Sequence, residues 1–160
     1  PKNCGIIFLR MGRFWMTESA SKRYTNAWHK LDDFRTALTR LDEVMGSESK
    51  MPDLVRDASI QRFEFCYELC WKSMRALLKV LGTDVNYPRE AFREAYVAKW
   101  IPDEETFIRM MEDRNLMSHT YSEFRADEVM QRIPGYWLAM DASQKNLCRA
   151  LEKFNPQKSS

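Results

Sequence analysis

The chain has 160 residues, 44% of them apolar and 30% charged, with a net charge of +2 at pH 7. One domain of this length buries roughly two thirds of its unfolded surface and needs neither disulfide nor metal staples. So small a charge, spread along the chain, excludes nucleic-acid binding by bulk electrostatics and leaves only a local cleft for RNA, and no apolar run approaches the length of a membrane-spanning helix.

Five glycines and six prolines are few, and no segment alternates over a strand's length, so the chain reads as all-α. Residues 1–15 include Ile6-Ile7-Phe8-Leu9 but lack the long apolar core of a signal peptide. They are expected to be an extension, poorly ordered or outside the core, because Met16 followed by Thr17-Glu18-Ser19 is a natural beginning. Residues 16–155 then form a single helical domain and 156–160 a frayed tail.

The first helix is expected from about Ser21 to Met45. Its apolar residues Tyr24, Trp28, Leu31, Phe34, Leu38, Leu41 and Met45 step by three and four, and Gly46-Ser47 ends it. His29 falls off that stripe and reads as surface. The second helix runs from about Asp53 to Leu81 and stops at Gly82. Ile60, Phe63, Tyr67, Cys70, Met74, Leu77, Leu78 and Leu81 make much of its circumference apolar, which suits a central position. Cys66 and Cys70 lie one turn apart on it, without a CxxC or a nearby histidine, and read as small buried hydrophobes rather than metal ligands. With Cys4 and Cys148 they suggest a reduced, cytoplasmic protein rather than a disulfide framework.

Proline is well placed at the first turn of a short third helix, Pro88 to about Ala98. A fourth is expected to open at Pro102, with Asp103, Glu104 and Glu105 in its first turn favouring the helix dipole. Phe107, Met110, Met111 and Leu116 form its inner face, the methionines as packing rather than a cofactor box. This helix runs out near His119. The last helix, about Ala126 to Phe154, must kink or break at Pro134-Gly135, where a backbone bond is lost. The sum is an up-and-down four-helix bundle with a short extra helix.

Two stretches carry chemistry. Asp113-Arg114-Asn115-Leu116-Met117-Ser118-His119-Thr120-Tyr121 gathers a permanent cation suited to phosphate, an imidazole suited to proton transfer and a phenol. Arg114 and His119, five residues apart, stand about 140° apart around a helix. One straight helix therefore does not easily aim both at one atom. Either the helix ends here or a second copy of the chain completes the site. The bland alternative is an arginine–carboxylate pair with a satisfied histidine at a helix end.

The second stretch places Glu64 and Glu68 four apart on the second helix among aromatics. If that face is buried, its carboxylates need cationic partners. Arg114 is the candidate for Glu64, and Lys72 is correctly spaced for Glu68. The alternative is a solvated acidic stripe.

Ile60-Gln61-Arg62-Phe63-Glu64-Phe65, Glu68-Leu69, Trp71-Lys72, Pro88-Arg89, Asp113-Arg114-Asn115 and Ser118-His119-Thr120-Tyr121 resemble the nucleotidyltransferase substrate-binding protein family of the HEPN superfamily. The likeness spans about Ser21 to Leu151. Arg114, His119 and Tyr121 also match the Arg-x4-His-x-Tyr signature of HEPN ribonuclease toxins. The resemblance implies a HEPN-like homodimer that pairs with a separate nucleotidyltransferase chain and cleaves RNA, tRNA included, without a metal or other cofactor. It implies Arg114 and His119 as catalytic residues, with Asn115, Ser118 and Glu64 supporting them. Glu68, Trp71 and Lys72 would be structural. Tyr121 would be the target of adenylylation by the partner; a hydrogen-bonding core phenol is the other reading. The family name also implies an alternative function, a non-catalytic subunit that presents substrate to a nucleotidyltransferase.

Overall fold

Five α-helices make up the computed structural model, which describes residues 18–47, 51–119 and 123–154, the side chains at 118 and 119 excepted. They are α1 (Glu18–Met45), α2 (Pro52–Val80), α3 (Pro88–Val97), α4 (Glu104–His119) and α5 (Glu123–Lys153). Among the described residues there is no strand, and no helix is long and apolar enough to cross a membrane. The extension expected at 1–15 and the tail expected at 156–160 lie outside the described residues.

The near-continuous apolar surface of α2 explains its place: it packs against all four other helices. Phe63, Met74 and Leu77 of α2 are fully buried with Phe34 and Leu41 of α1 and Ile133, Met140 and Leu147 of α5. Toward α3 and α4 the core continues through aromatic rings. Tyr67 meets Phe92 edge-on at 6.0 Å, and Phe92 meets Phe107 at 5.4 Å. His29 is exposed, as its position off the stripe implied.

Helix boundaries differ from expectation where a side chain competes for the backbone. α4 begins at Glu104 rather than Pro102, because Asp103 Oδ1 accepts a hydrogen bond from the Thr106 N–H at 2.7 Å and so caps the helix. α5 begins earlier, at Glu123, and runs through Pro134 unbroken. An interior proline costs roughly 3 kcal/mol. Val129, Ile133, Tyr136 and Met140, all buried on one face around it, hold the helix together across that defect.

α2 and α3 end alike. At each, a residue in the left-handed region closes the helix with paired backbone bonds. At Gly82 (φ 87°) they are Thr83 N–H to Leu78 O and Gly82 N–H to Lys79 O. At Lys99 (φ 59°) they are Trp100 N–H to Ala95 O and Lys99 N–H to Tyr96 O. Glycine takes this conformation freely and lysine does not. Lys99→Gly is therefore expected to raise the unfolding free energy by about 0.5–1 kcal/mol in urea titration, whereas Gly82→Ala should lower it.

Candidate functional site

Asp113 and Arg114 are neighbours on α4, so their side chains leave the helix about 100° apart. Asp113 turns inward and is only 7% exposed. A buried carboxylate is costly unless fully hydrogen-bonded, and α5 supplies the bonds. Arg132 donates from Nε to Oδ2 at 2.7 Å and from Nη2 to Oδ1 at 2.9 Å, and the Tyr136 hydroxyl donates to Oδ2 at 2.6 Å. Arg132 and Tyr136 can act together because they are four apart on α5. Burial, reinforced by the Asp113 carboxylate, raises the Tyr136 phenol above its ordinary range. Sequence reasoning saw in Asp113 only an acidic neighbour of Arg114. The signal that could have found the network was the Arg132/Tyr136 pair beside the apolar stripe of α5.

Arg114 turns toward α2, where its Nη2 lies 3.3 Å from Glu68 Oε1. The other Glu68 oxygen lies 3.2 Å from Lys72 Nζ and accepts from Trp71 Nε1 at 3.2 Å. Arg114 thus reaches Glu68 and not Glu64, its expected partner. Asp113 fixes how α4 sits in the bundle, and that setting brings Arg114 level with Glu68, one turn along α2 from Glu64. Glu64 is half-buried and forms no ion pair among the described residues. The Lys72–Glu68 pair falls at the expected spacing. Asn115 Oδ1 lies 3.4 Å from Arg114 Nη1. Beneath them burial raises the Tyr67 phenol; the Glu68 charge adds to that shift and Arg114 opposes it.

Two cations therefore share the Glu68 carboxylate, and the Arg114 side chain is one-third exposed. Such a group can take a phosphate in bidentate fashion.

The structure thus brings together Arg114, Asn115, Glu68, Trp71 and Lys72. The backbone of Ser118 and His119 completes α4, and His119 is its last residue. Their side chains, and Tyr121 altogether, lie outside the described residues. Burial pushes the Cys66 thiol up to about 12 and raises Cys70 well above its ordinary value, so both are neutral at physiological pH.

The family model for "Nucleotidyltransferase substrate binding protein like" matches residues 29–149. A Haemophilus influenzae protein named "Probable ribonuclease HepT" is 32% identical over 94 residues, which are 53% of this chain. The match spans 64% of that protein's length, less than two thirds of it. A crystal structure of a Thermus thermophilus protein is 32% identical with a TM-score of 0.65, over 71% of this chain and 98% of that one. A Shewanella oneidensis HEPN toxin, tri-AMPylated and in complex with an MNT antitoxin, shares the fold at a TM-score of 0.64. There the identity is 16%, over 77% of this chain and 96% of that one.

Asp113→Asn weakens the bidentate pair with the part-exposed Arg132 and is expected to lower stability by about 2 kcal/mol. Tyr136→Phe removes one hydrogen bond to a charged group and should cost about 1.5–2 kcal/mol, both read by urea unfolding. Because the folded state raises the Tyr136 phenol, its contribution is complete below the ordinary phenol range near pH 10 and is lost as pH rises beyond it. Tyr136→Phe should therefore flatten the alkaline limb of the stability profile.

Proposed function

The chain belongs to the nucleotidyltransferase substrate-binding protein-like family, and on that premise we propose that it is a HEPN-type, metal-independent endoribonuclease. It would be the toxin of a pair whose antitoxin is a separate minimal nucleotidyltransferase chain. The observation that carries this reading is the part-exposed Arg114 guanidinium, which shares Glu68 with Lys72 and stands on α4 five residues before His119. The named ribonuclease of Haemophilus influenzae and the antitoxin-bound toxin of Shewanella oneidensis support it.

The chemistry follows from what RNA offers. Its own 2′-hydroxyl attacks the adjacent phosphorus, and the 5′-oxygen departs in line on the opposite side. A base takes the proton from the 2′-hydroxyl, and an acid gives one to the 5′-oxygen. Arg114 binds the phosphate and stabilises the negative charge that builds on its oxygens. His119 moves the protons. One imidazole does not easily serve both sides of the phosphorus, and a five-residue spacing does not easily aim Arg114 and His119 of one helix at one atom. A homodimer with two copies of each residue around one cleft meets both demands. Asn115, Ser118 and Glu64 would orient the phosphate-binding groups, while Glu68, Trp71 and Lys72 hold Arg114 in place. Tyr121 is the position for adenylylation by the partner: an AMP group there adds bulk and negative charge beside His119 and repels RNA phosphate.

A second reading, a non-catalytic subunit that presents substrate to the nucleotidyltransferase, is favoured by the family's own description. It uses the same phosphate grip without proton transfer.

Purified protein in EDTA, incubated with cellular RNA including tRNA, separates the two. Wild type is expected to cut, and His119→Ala to cut at least about 100-fold more slowly. If neither cuts, and intact mass shows no AMP on the wild-type chain, the ribonuclease falls and the substrate-presenting subunit stands.

A further inference from the structure

Among the described residues, no further helix closes the face of α2 next to Glu68. It forms one wall of a groove of about 640 Å³ whose other wall is α1. Arg40 and Thr36 line it from α1; Gln61, Arg62, Phe65 and Leu69 line it from α2. Phe65 is 66% exposed and lies between the core stripe and solvent. It stands three residues before Glu68, which on a helix is about 4.5 Å of rise and 60° of rotation. The groove and the Arg114 cluster are therefore adjacent surfaces of one helix.

The groove sets two arginines beside an exposed aromatic ring. Arg40 and Arg62, both exposed, form no ion pair among the described residues. The one acidic lining residue, Asp33, lies 3.9 Å from Lys30 Nζ, which offsets its charge. The groove thus offers two guanidinium forks, an accessible aromatic face between the helices and two small polar groups. Guanidinium forks match phosphates, and an exposed ring accepts an unstacked base of any identity.

We propose that this groove binds single-stranded RNA, with a base stacked on Phe65 and the flanking phosphates held by Arg40 and Arg62. Gln61 and Thr36 are placed to bond sugar or base edges. That the bound segment is a flank of the strand cut at Arg114 rests on the ribonuclease reading; the binding itself does not. A second copy of the chain is a poorer occupant. An isologous contact across the groove would gather Arg40 and Arg62 from both copies against only the two Asp33 carboxylates, which Lys30 already offsets.

The test is fluorescence anisotropy with a fluorescein-labelled oligouridylate. The full chain carries His119→Ala so that the probe stays intact. Adding Phe65→Ala is expected to weaken binding about tenfold, the loss of one base stack. Adding Arg40→Ala and Arg62→Ala together should also weaken it about tenfold, and lower the slope of log affinity against log salt by about 1.4, two phosphates' worth. All three side chains are exposed, so their removal leaves the core intact. Unchanged affinity in these variants, or no binding by the parent, overturns the proposal. So does a switch from dimer to monomer in size-exclusion chromatography, which would make the groove a contact between copies. If wild type fails to cut RNA while groove-dependent binding persists, the ribonuclease reading falls alone. If cleavage depends on His119 while the groove variants bind and cut like their parents, this proposal falls alone.

Discussion

The site depends on one buried carboxylate. Asp113 gives both its oxygens to Arg132 and one of them also to Tyr136, at 2.6–2.9 Å. A single misaligned bond would leave a charge stranded in the core, at a cost of several kcal/mol. The network therefore tolerates only one rotation and one height of α4 against α5. Of the apolar residues of α4, Phe107 and Met110 are fully buried, and Ile108, Met111, Leu116 and Met117 only partly. The polar network fixes what packing leaves loose.

The position of Arg114 follows. With Asp113 turned inward, the next residue on the helix must leave toward α2, and Glu68 is the carboxylate it meets. Glu68 is shared with Lys72 and Trp71, so the carboxylate that orients the guanidinium is itself held in place. Neighbouring residues thus divide two tasks. One is buried and fully bonded for stability. The other is part-exposed and paired with Glu68, where we propose that it meets a phosphate. The Arg114–Glu68 pair is part-exposed, so it contributes less to folding than the Asp113 network does.

Much of this was legible in the sequence, and the remainder has identifiable causes. The long helices were readable because apolar residues at three- and four-residue steps report one buried face. α2 was readable as central because its apolar surface is too wide for a single neighbour. Gly82 announced its own helix end. Lys99 did not, because a lysine gives no sign of left-handed backbone. Pro134 pointed to a kink or a break; the helix is continuous through it, since buried side chains on both sides outweigh one lost backbone bond. The pairing of Arg114 with Glu64 was misplaced by one helical turn. Spacing along α2 does not say which turn faces α4; that depends on the Asp113 network, whose partners lie 19 and 23 residues away. The grouping of Arg114 with Asn115 and Glu68 is visible in the structure, whereas His119 and Tyr121 as parts of a site rest on the sequence signature.

The most direct measurement compares two adjacent substitutions, Asp113→Asn and Arg114→Ala, in parallel urea unfolding and RNA cleavage. Arg114→Ala should stay within about 1 kcal/mol of wild-type stability, as a surface pair allows, while cleavage collapses. Asp113→Asn should lose both, with stability falling first. If Arg114→Ala instead unfolds as readily as Asp113→Asn, or cuts RNA like the wild type, then Arg114 is a structural residue and the division of labour on α4 is wrong.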